Sequence, residues 1–212
     1  MDQGDDIVFI VDDDARVREA LSLLLASFDM RVVTFPSAAE YLAHSKPDVP
    51  ACLVLDVELP DINGLDLQRK IAQGNHPHIV FISGHGDIPS TVRAIKTGAV
   101  DFLTKPFREA DLMRAINAAL AQNRDARNKQ AELADLRRRL SKLTPRERDV
   151  LPLVVSGLLN KQAAAELGIS EITLQIHRGN IMKKMGAASL PELVRMAGAL
   201  AIPVTRSRRP QR

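Results

Sequence analysis

The sequence predicts a doubly wound α/β domain with a five-stranded parallel sheet, followed by an all-α four-helix domain. In the first part, short β-rich runs alternate with helical patterns, which is typical of a parallel sheet wound by right-handed crossovers. The runs are continuously apolar, which indicates a sheet covered on both faces. The second part contains only helical patterns, and all aromatic residues lie between Phe9 and Phe107.

The positions of the apolar residues in the first part predict its strands and helices. The predicted strands are Ile7–Val11, Val32–Phe35, Cys52–Leu55, Ile79–Ile82 and Val100–Leu103. The predicted helices are Ala15–Phe28, Ser37–His44, Leu65–Gln73 and Pro89–Thr97, and a fifth begins near Glu109. Helical periodicity then continues to about residue 140, which predicts one long helix or two stacked helices.

Helix-capping signals divide the second part. Thr144-Pro-Arg-Glu147 forms a capping box with proline at the first helical position, and Ser189-Leu-Pro-Glu192 forms another. The predicted helices are Arg146–Ser156, Asn160–Leu167, Glu171–Met185 and Leu193–Leu200. Upstream, leucines 133, 136, 140 and 143 form a seam of only about two heptads, so a solvated linker and a dimer contact both remain open.

Charge separates the same two parts. Residues 1–122 hold 11 Lys and Arg against 18 Asp and Glu, whereas residues 123–212 hold 18 against 8, within a total net charge of +3. This asymmetry predicts that the basic part contacts nucleic acid or a membrane. The missing aromatic residues argue against single-strand or RNA recognition, which depends on stacking, and favour double-stranded DNA.

Several classes of protein are excluded. The single Cys52 cannot support a disulfide framework or a thiolate zinc site, so we expect a cytoplasmic protein. Apolar stretches are too short to span a bilayer, the acidic N-terminus does not resemble a signal peptide, and the P-loop motif is missing. We therefore expect no membrane contact.

Polar residues follow the predicted strands where ligands bind in open parallel sheets. Asp12 and Asp13 follow the first strand, Asp56 the third, Ser83 the fourth, and Lys105 lies just after the fifth. Each could simply end a strand or cap a helix, as Asp14 and Ser37 could. Together they predict one site, because converging carboxylates repel and require a cation such as Mg²⁺. Asp56, on a central strand, is the predicted nucleophile towards phosphorus.

These residues resemble the receiver domain of bacterial two-component response regulators. The matching motifs are Ile10-Val-Asp-Asp-Asp14, Leu55-Asp-Val-Glu-Leu-Pro-Asp-Ile-Asn-Gly64 and Phe102-Leu-Thr-Lys-Pro-Phe107, and Ser83–Lys96 is similar to the FixJ-like regulators. The resemblance implies that Asp56 accepts phosphate from a histidine kinase, and that Asp12, Asp13, Asp56 and the backbone carbonyl of Glu58 bind Mg²⁺. It also implies that Ser83 and Lys105 sense the phosphoryl group, that Phe102 is a rotating switch, and that the Lys105–Pro106 bond is cis. Glu58, acidic at a variable position, and Met30, where small residues are frequent, depart from the common pattern.

The helix Glu171–Met185 has two distinct faces at 100° per residue. Leu174, Ile181 and Met185 are predicted to face the core, and Gln175, Ile176, Gly179 and Lys183 the opposite side. Ile176 suits a thymine methyl and Gln175 an adenine edge. Residues suited to phosphates are Lys161, Thr173, His177, Asn180 and Lys183. A solvated helix face is the alternative.

This second part resembles the LuxR/NarL-type helix-turn-helix domain. The match runs from Leu143-Thr-Pro-Arg-Glu-Arg148 through Leu167-Gly-Ile-Ser170 to Lys184-Met-Gly186, and it adds Arg178 to the predicted DNA contacts. Gln175 departs from the lysine that is frequent there. The predicted domains are a receiver over 1–122, a helical linker over 123–142, the DNA-binding domain over 143–202 and a basic disordered tail over 203–212.

The resulting hypothesis is a transcription regulator that is not an enzyme in the ordinary sense. Phosphorylation shifts a bistable switch and promotes homodimers on duplex DNA. A Mg²⁺-dependent phosphatase is the alternative, but Asp56-Val-Glu58 lacks the second aspartate of that class. A receiver that acts only as an unphosphorylated docking module is a third possibility.

Overall fold

The computed structural model describes residues 6–71, 76–84 and 88–203. The chain forms two compact units, Met1–Asn128 and Lys129–Arg212, which are considered separately. The predicted tail lies almost entirely outside the described residues, and the predicted domain boundaries remain predictions. None of the described helices combines the length and the apolarity needed to cross a bilayer.

The first unit contains a parallel sheet with helices on both faces, which confirms the predicted fold class. Its strands are β1 (Ile7–Val11), β2 (Arg31–Phe35), β3 (Ala51–Asp56), β4 (His78–Ser83) and β5 (Asp101–Thr104). They pair in the order β2-β1-β3-β4-β5. This flavodoxin-like order places the switch in strand order, where ligands bind, between β1 and β3.

Each strand of the sheet centre contributes to two hydrophobic cores. Ile7, Phe9 and Val11 of β1 point to one face, and Val8 and Ile10 to the other. All five are 0–1% exposed. Successive strand residues point to opposite faces, so a strand buried on both faces must be continuously apolar. The prediction that both sheet faces are covered is therefore confirmed.

Within the described residues, five helices pack on the sheet, the last of them only through its first part, because its residues from 129 onward belong to the second unit. They are α1 (Ala15–Ala26), α2 (Ala38–Ala43), α3 (Gly64–Ile71), α4 (Ile88–Lys96) and α5 (Glu109–Ser141). Asp14 and Ser37 are the N-caps of α1 and α2, because their side chains accept backbone N–H groups of Arg16 and Glu40. α5 is one continuous helix rather than two stacked ones.

Asn123 of α5 ties that helix to the start of two strands. Its Oδ1 accepts the backbone N–H of Ala51 at 3.0 Å, and its Nδ2 donates to the carbonyl of His76 at 2.9 Å. The side chain also lies 3.1 Å from Nδ1 of His78. Asn123 is only 2% exposed, so these strand-end groups have no easy access to water.

We expect Asn123→Ala to destabilise the first unit by about 1 to 2 kcal/mol, because a buried backbone N–H loses its acceptor. Hydrogen exchange measured by mass spectrometry should show faster exchange in β3 and β4. The exposed Asn117 of the same helix provides the control, and Asn117→Ala should leave exchange unchanged. Equal exchange in the two variants would contradict the role of Asn123.

Up to residue 203, where the described residues end, the second unit forms its own hydrophobic core mainly from four short helices. These are α6 (Pro145–Val155), α7 (Asn160–Leu167), α8 (Glu171–Met185) and α9 (Leu190–Ala199). The end of the leucine seam belongs to this core, since Leu143 is 3% exposed within it and Leu140 packs against it. These two leucines therefore have a packing role inside the unit.

The structure corrects the start of the last helix. α9 begins at Leu190, three residues before the predicted start, because Leu190 and Pro191 already form its first turn. Ser189 is the N-cap and accepts the N–H of Glu192 at 3.4 Å. The carboxylate of Glu192 reaches back to the N–H of Ala188 at 2.7 Å rather than to that of Ser189. The capping box predicted here is thus incomplete, whereas both bonds of the Thr144–Glu147 box are present.

Candidate functional site

Three carboxylates and one ammonium group meet at the carboxyl edge of the sheet. Asp56 ends β3, and Asp12 and Asp13 directly follow β1. These three side chains offer oxygen atoms that all lie within 4.8 Å of one another. Lys105, just after β5, donates from Nζ to Asp12 Oδ2 at 2.7 Å and to Asp56 Oδ2 at 2.6 Å. The convergence predicted for these four residues is present.

Burial and close charges shift the pKa values of the ionisable groups at this edge. Asp12 is 0% and Asp56 is 5% exposed, whereas Asp13 is exposed. Burial raises the pKa of the Asp12 carboxyl, although the hydrogen bond from Lys105 opposes this. Burial alone would lower the pKa of Lys105, but its hydrogen bonds to Asp12 and Asp56 outweigh burial and raise it. Lys105 is therefore held as a cation between two carboxylates.

The oxygen atoms at this edge suit a hard divalent cation. Mg²⁺ prefers carboxylate, carbonyl and water oxygens, and it is bound in proteins through one or two carboxylates with water in the remaining positions. Asp12, Asp13 and Asp56 supply such oxygens from a compact cluster. Exposed Asp13 leaves one side of the cluster open to solvent. The donor set thus fits Mg²⁺.

Backbone groups fix the orientation of the two buried carboxylates. Asp12 Oδ1 accepts the N–H of Asp14 at 2.9 Å, and Asp56 Oδ1 accepts the N–H of Glu58 at 3.0 Å. Each carboxylate therefore keeps its Oδ2 directed at Lys105. The guanidinium of Arg18 in α1 also donates to the carbonyls of Asp12 and Asp13, at 2.7 and 2.9 Å. Arg18 was not singled out from the sequence, because no local motif signals this contact.

Gly64 allows the loop after Asp56 to fold back onto it. The N–H of Gly64 donates to the carbonyl of Val57 at 2.8 Å. A Cβ atom at position 64 would lie 2.3 Å from the carbonyl oxygen of Asp56 and 3.1 Å from Cα of Val57. Such distances are far below van der Waals contact, so only glycine fits here without a backbone shift.

The remaining predicted residues of this edge lie on β4 and β5. Ser83 is fully buried, and its carbonyl accepts the N–H of Lys105 at 2.8 Å. The Lys105–Pro106 peptide bond is cis, as predicted. Phe102 is half-buried and packs against the core, with its ring centroid 6.1 Å from that of Phe81. The sensing role of Ser83 and the switch role of Phe102 remain predictions.

The two faces of α8 are as predicted. Leu174, Ile181 and Met185 are 0% exposed in the core of the second unit. The outward face includes Gln175, Ile176, Gly179 and Lys183, which are all exposed, and exposed Ile172 falls on the same side. Ile176 keeps 59% exposure and Ile172 keeps 74%, so two apolar side chains of α8 are open to solvent. An exposed apolar side chain between polar ones suits contact with base edges and thymine methyl groups.

The other predicted DNA-contacting residues differ in exposure and in the hydrogen bonds that they already make. Lys161 and Asn180 are exposed. The hydroxyl of Thr173 lies 2.8 Å from that of Ser170, the N-cap of α8. Arg178 is half-buried and donates to Asn160 Oδ1 at 3.1 Å. Nδ1 of half-buried His177 is itself buried.

Comparison with known families matches both units. The family described as "Response regulator receiver domain" matches residues 8–117. The family described as "Bacterial regulatory proteins, luxR family" matches residues 141–197. The two matches fall on the parts that carry the acidic edge and the exposed face of α8.

Individual proteins resemble the chain over most of its length. Nodulation protein W of Bradyrhizobium diazoefficiens is 52% identical, with 92% of this chain and 87% of that protein covered. Transcriptional regulatory protein FixJ of Azorhizobium caulinodans is 44% identical, with 90% of each covered. Among solved structures, response regulator StyR has a TM-score of 0.81 at 45% identity, covering 92% of this chain and 98% of that one. Full-length FixJ from B. japonicum has a TM-score of 0.53 at 38% identity, covering 93% and 98%.

Proposed function

The chain belongs to the NarL/FixJ family of two-component response regulators, which join a receiver domain to a LuxR-type DNA-binding domain, and we propose that Asp56 is its phosphoacceptor. It is thus a DNA-binding transcription regulator of a two-component system. The observation that carries the proposal is the position of Lys105 Nζ, within 2.7 Å of both Asp12 and Asp56. A fixed cation beside a carboxylate nucleophile suits an incoming phosphoryl group.

In the proposed reaction, Asp56 takes the phosphoryl group from a phosphohistidine of a kinase. A carboxylate oxygen of Asp56 attacks phosphorus, a P–O bond forms and the P–N bond breaks. The electron pair of the broken bond returns to the imidazole, which takes a proton from solvent. Asp12, Asp13, Asp56 and the carbonyl of Glu58 would hold Mg²⁺, which supplies positive charge to the transferring oxygens.

The proposed switch begins with Lys105. Before the reaction, its ammonium is shared by two carboxylates. A phosphoryl group on Asp56 would place more negative charge near Nζ, and Lys105 would turn towards it. Ser83, at the end of the neighbouring strand, would supply a hydroxyl donor, and half-buried Phe102 would rotate inward. This is a shift between two populations, which favours homodimers.

Incubation with acetyl phosphate and Mg²⁺ tests the proposal. We expect intact-mass spectrometry to show one phosphoryl adduct on the full chain, because Asp56 ends the central strand β3 and its carboxylate lies 2.6 Å from Lys105 Nζ. Asp56→Asn should abolish the adduct, and chelation of Mg²⁺ should strongly slow its formation. The control is Asp61→Asn, which removes an exposed carboxylate from the loop that follows Asp56. An adduct that survives in Asp56→Asn would contradict the proposal.

For the second unit, we propose that α8 enters the major groove of double-stranded DNA. Gln175 and Ile176 would read bases, and Arg178 would add a further DNA contact. The residues that would contact phosphates are Lys161, Thr173, His177, Asn180 and Lys183. The support is the exposed apolar and polar face of α8 in a strongly basic part of the chain. Phosphate contacts position a protein without reading sequence.

We expect Lys183→Ala to weaken duplex binding and to reduce the slope of log affinity against log salt by about 0.9, the value for one phosphate contact. Lys142→Ala is the matched control, because it removes the same charge from an exposed position outside α8. Fluorescence anisotropy over a salt series measures both quantities. Salt-independent binding by the wild-type chain would count against the proposal.

The proposal also covers compartment and enzymatic activity. Buried, unpaired Cys52 is compatible with a reducing cytoplasm. Phosphoryl transfer to Asp56 changes the protein itself, and any later loss of phosphate only resets it. We therefore propose a regulator rather than an enzyme acting on a separate substrate.

A further inference from the structure

The C-terminal end of α8 is held by a side chain from another helix. The carbonyl oxygen of Met185, the last residue of α8, accepts a hydrogen bond from Arg139 Nη1 of α5 at 2.9 Å. The last carbonyls of a helix have no partner within the helix, and they carry partial negative charge. The preceding carbonyls of Met182 and Lys183 are satisfied by the N–H groups of Ala187 and Gly186. Arg139 thus supplies a donor that the local chain does not.

Arg139 is itself held in place. Its Nε lies 2.7 Å from Oδ2 of Asp135, one helical turn earlier. The side chains of Arg139 and Asp135 are only 37% and 30% exposed. The guanidinium is therefore fixed on one side by a carboxylate and on the other by a backbone carbonyl. This arrangement restricts its motion more than an exposed ion pair would.

Gly186 leaves the space that the guanidinium occupies. It has φ of +69°, and a Cβ atom there would lie 2.5 Å from Arg139 Nη1. After a helix, a residue in the left-handed region is ordinarily glycine because glycine has no Cβ to strain that backbone conformation. Here the missing side chain also admits the arginine. By contrast, Gly157 after α6 has φ of +78° and no described atom within 4 Å of a built Cβ.

We infer that Arg139 is a positioning residue for DNA recognition. It fixes the end of α8 that lies nearest Lys183, so that the helix presents its outward face in one placement. This inference rests on the proposed role of α8 in the major groove. Base contacts demand accurate placement, whereas flexible lysines tolerate small shifts when they contact phosphates. Loss of Arg139 should therefore weaken sequence-specific binding more than non-specific binding.

The test compares Arg139→Met with Arg138→Met in the full chain. Arg138 pairs with the same Asp135, so both variants lose the same charge in the same region. Unlike Arg139, the Arg138 side chain is 74% exposed. Two probes are used. The first is a duplex of about 30 base pairs, long enough for two half-sites, that the wild-type chain has selected from a randomised pool. The second is a scrambled version of that duplex. We expect Arg139→Met to bind the selected duplex about tenfold more weakly. Its salt slope should equal that of Arg138→Met, because neither residue is proposed to contact phosphate.

A second pair of variants tests the same contact without removing a charge. Gly186→Ala should displace the guanidinium, and it should weaken binding to the selected duplex about as much as Arg139→Met. Gly157→Ala imposes a similar left-handed strain but displaces nothing, so its affinity should match wild type. The double variant Arg139→Met/Gly186→Ala should be no weaker than Gly186→Ala alone. This pair decides the question if Arg139→Met fails to fold, as judged by thermal unfolding.

The outcomes separate the inference from the proposed function. If the wild-type chain binds duplexes with a steep salt dependence, but Arg139→Met and Arg138→Met bind equally well, the inference is overturned and the proposed function stands. Equal losses on selected and scrambled duplexes, with a smaller salt slope, would also overturn it, because Arg139 would then act as a phosphate-binding charge. If the wild-type chain binds no duplex, the proposed function itself fails.

Discussion

Gly64→Ala is expected to destabilise the first unit by about 3 kcal/mol, the cost of forcing extra atoms into a tightly packed site. The new Cβ would lie 2.3 Å from the backbone oxygen of Asp56, and a backbone cannot move aside as a flexible side chain can. Relief therefore requires a shift of the strand end that carries Asp56, the proposed phosphoacceptor. We also expect slower adduct formation with acetyl phosphate, because Asp56 would lose its alignment with Lys105.

Calorimetry of the full chain, with hydrogen exchange in β1 and β3, measures the effect of Gly64→Ala. A loss of this size lowers the unfolding temperature of the affected unit by roughly 10 °C. The control is Gly84→Ala in the same unit, because no described atom lies within 4 Å of a Cβ built there. Equal unfolding temperatures for the two variants would show that the loop tolerates a methyl group at position 64.

Lys184→Met is expected to destabilise the second unit by about 2 to 3 kcal/mol, because removal of one partner leaves a buried charge without compensation. Lys184 Nζ donates to Glu147 Oε2 at 2.7 Å, and the Glu147 side chain is only 3% exposed. The same Oε2 accepts the N–H of Thr144 at 2.8 Å, which completes the capping box of α6. Loss of the lysine thus affects the start of α6 and the end of α8 together.

The pH dependence of this pair has a definite sign. Burial alone would raise the pKa of Glu147, but the hydrogen bonds from Lys184 and Thr144 outweigh it and lower the pKa. A lowered carboxyl pKa gives stability that is present above the unfolded value, about 4.3, and is lost as pH falls through the folded value. The difference between wild type and Lys184→Met should therefore be largest near neutral pH and shrink in acid.

Thermal unfolding at several pH values, each above the onset of global acid unfolding, measures this difference. The matched control is Lys183→Met, which removes the neighbouring but exposed charge and should leave stability nearly unchanged. A gap between wild type and Lys184→Met that stays constant down to pH about 3 would contradict the account. The charge on Glu147 would then contribute nothing through Lys184.

The sequence predicted the elements of the first unit, and the convergence of its acidic residues with Lys105, because both follow from local signals. Continuously apolar strands indicate a sheet covered on both faces, and the strand ends place Asp12, Asp56 and Lys105 at one edge. Contacts between distant side chains carry no such signal. Asn123 at the starts of β3 and β4 and Arg18 on the carbonyls after β1 therefore emerged only from the structure.

The same limit applies to the second unit. Periodicity separated the buried and exposed faces of α8 correctly, because it depends only on helix geometry. It could not show that Arg178 already bonds Asn160, or that Glu192 bonds the N–H of Ala188. Those partners depend on tertiary packing and side-chain conformation.

The central claim is that Asp56 itself carries the phosphoryl group. Borohydride reduction of the acetyl phosphate-treated chain converts an aspartyl phosphate into homoserine, which peptide mass spectrometry then locates. The account predicts homoserine at position 56, formed with Mg²⁺ and strongly reduced by chelation. Homoserine at position 12 or 13 instead, or none in a chain that carries the adduct, would contradict it.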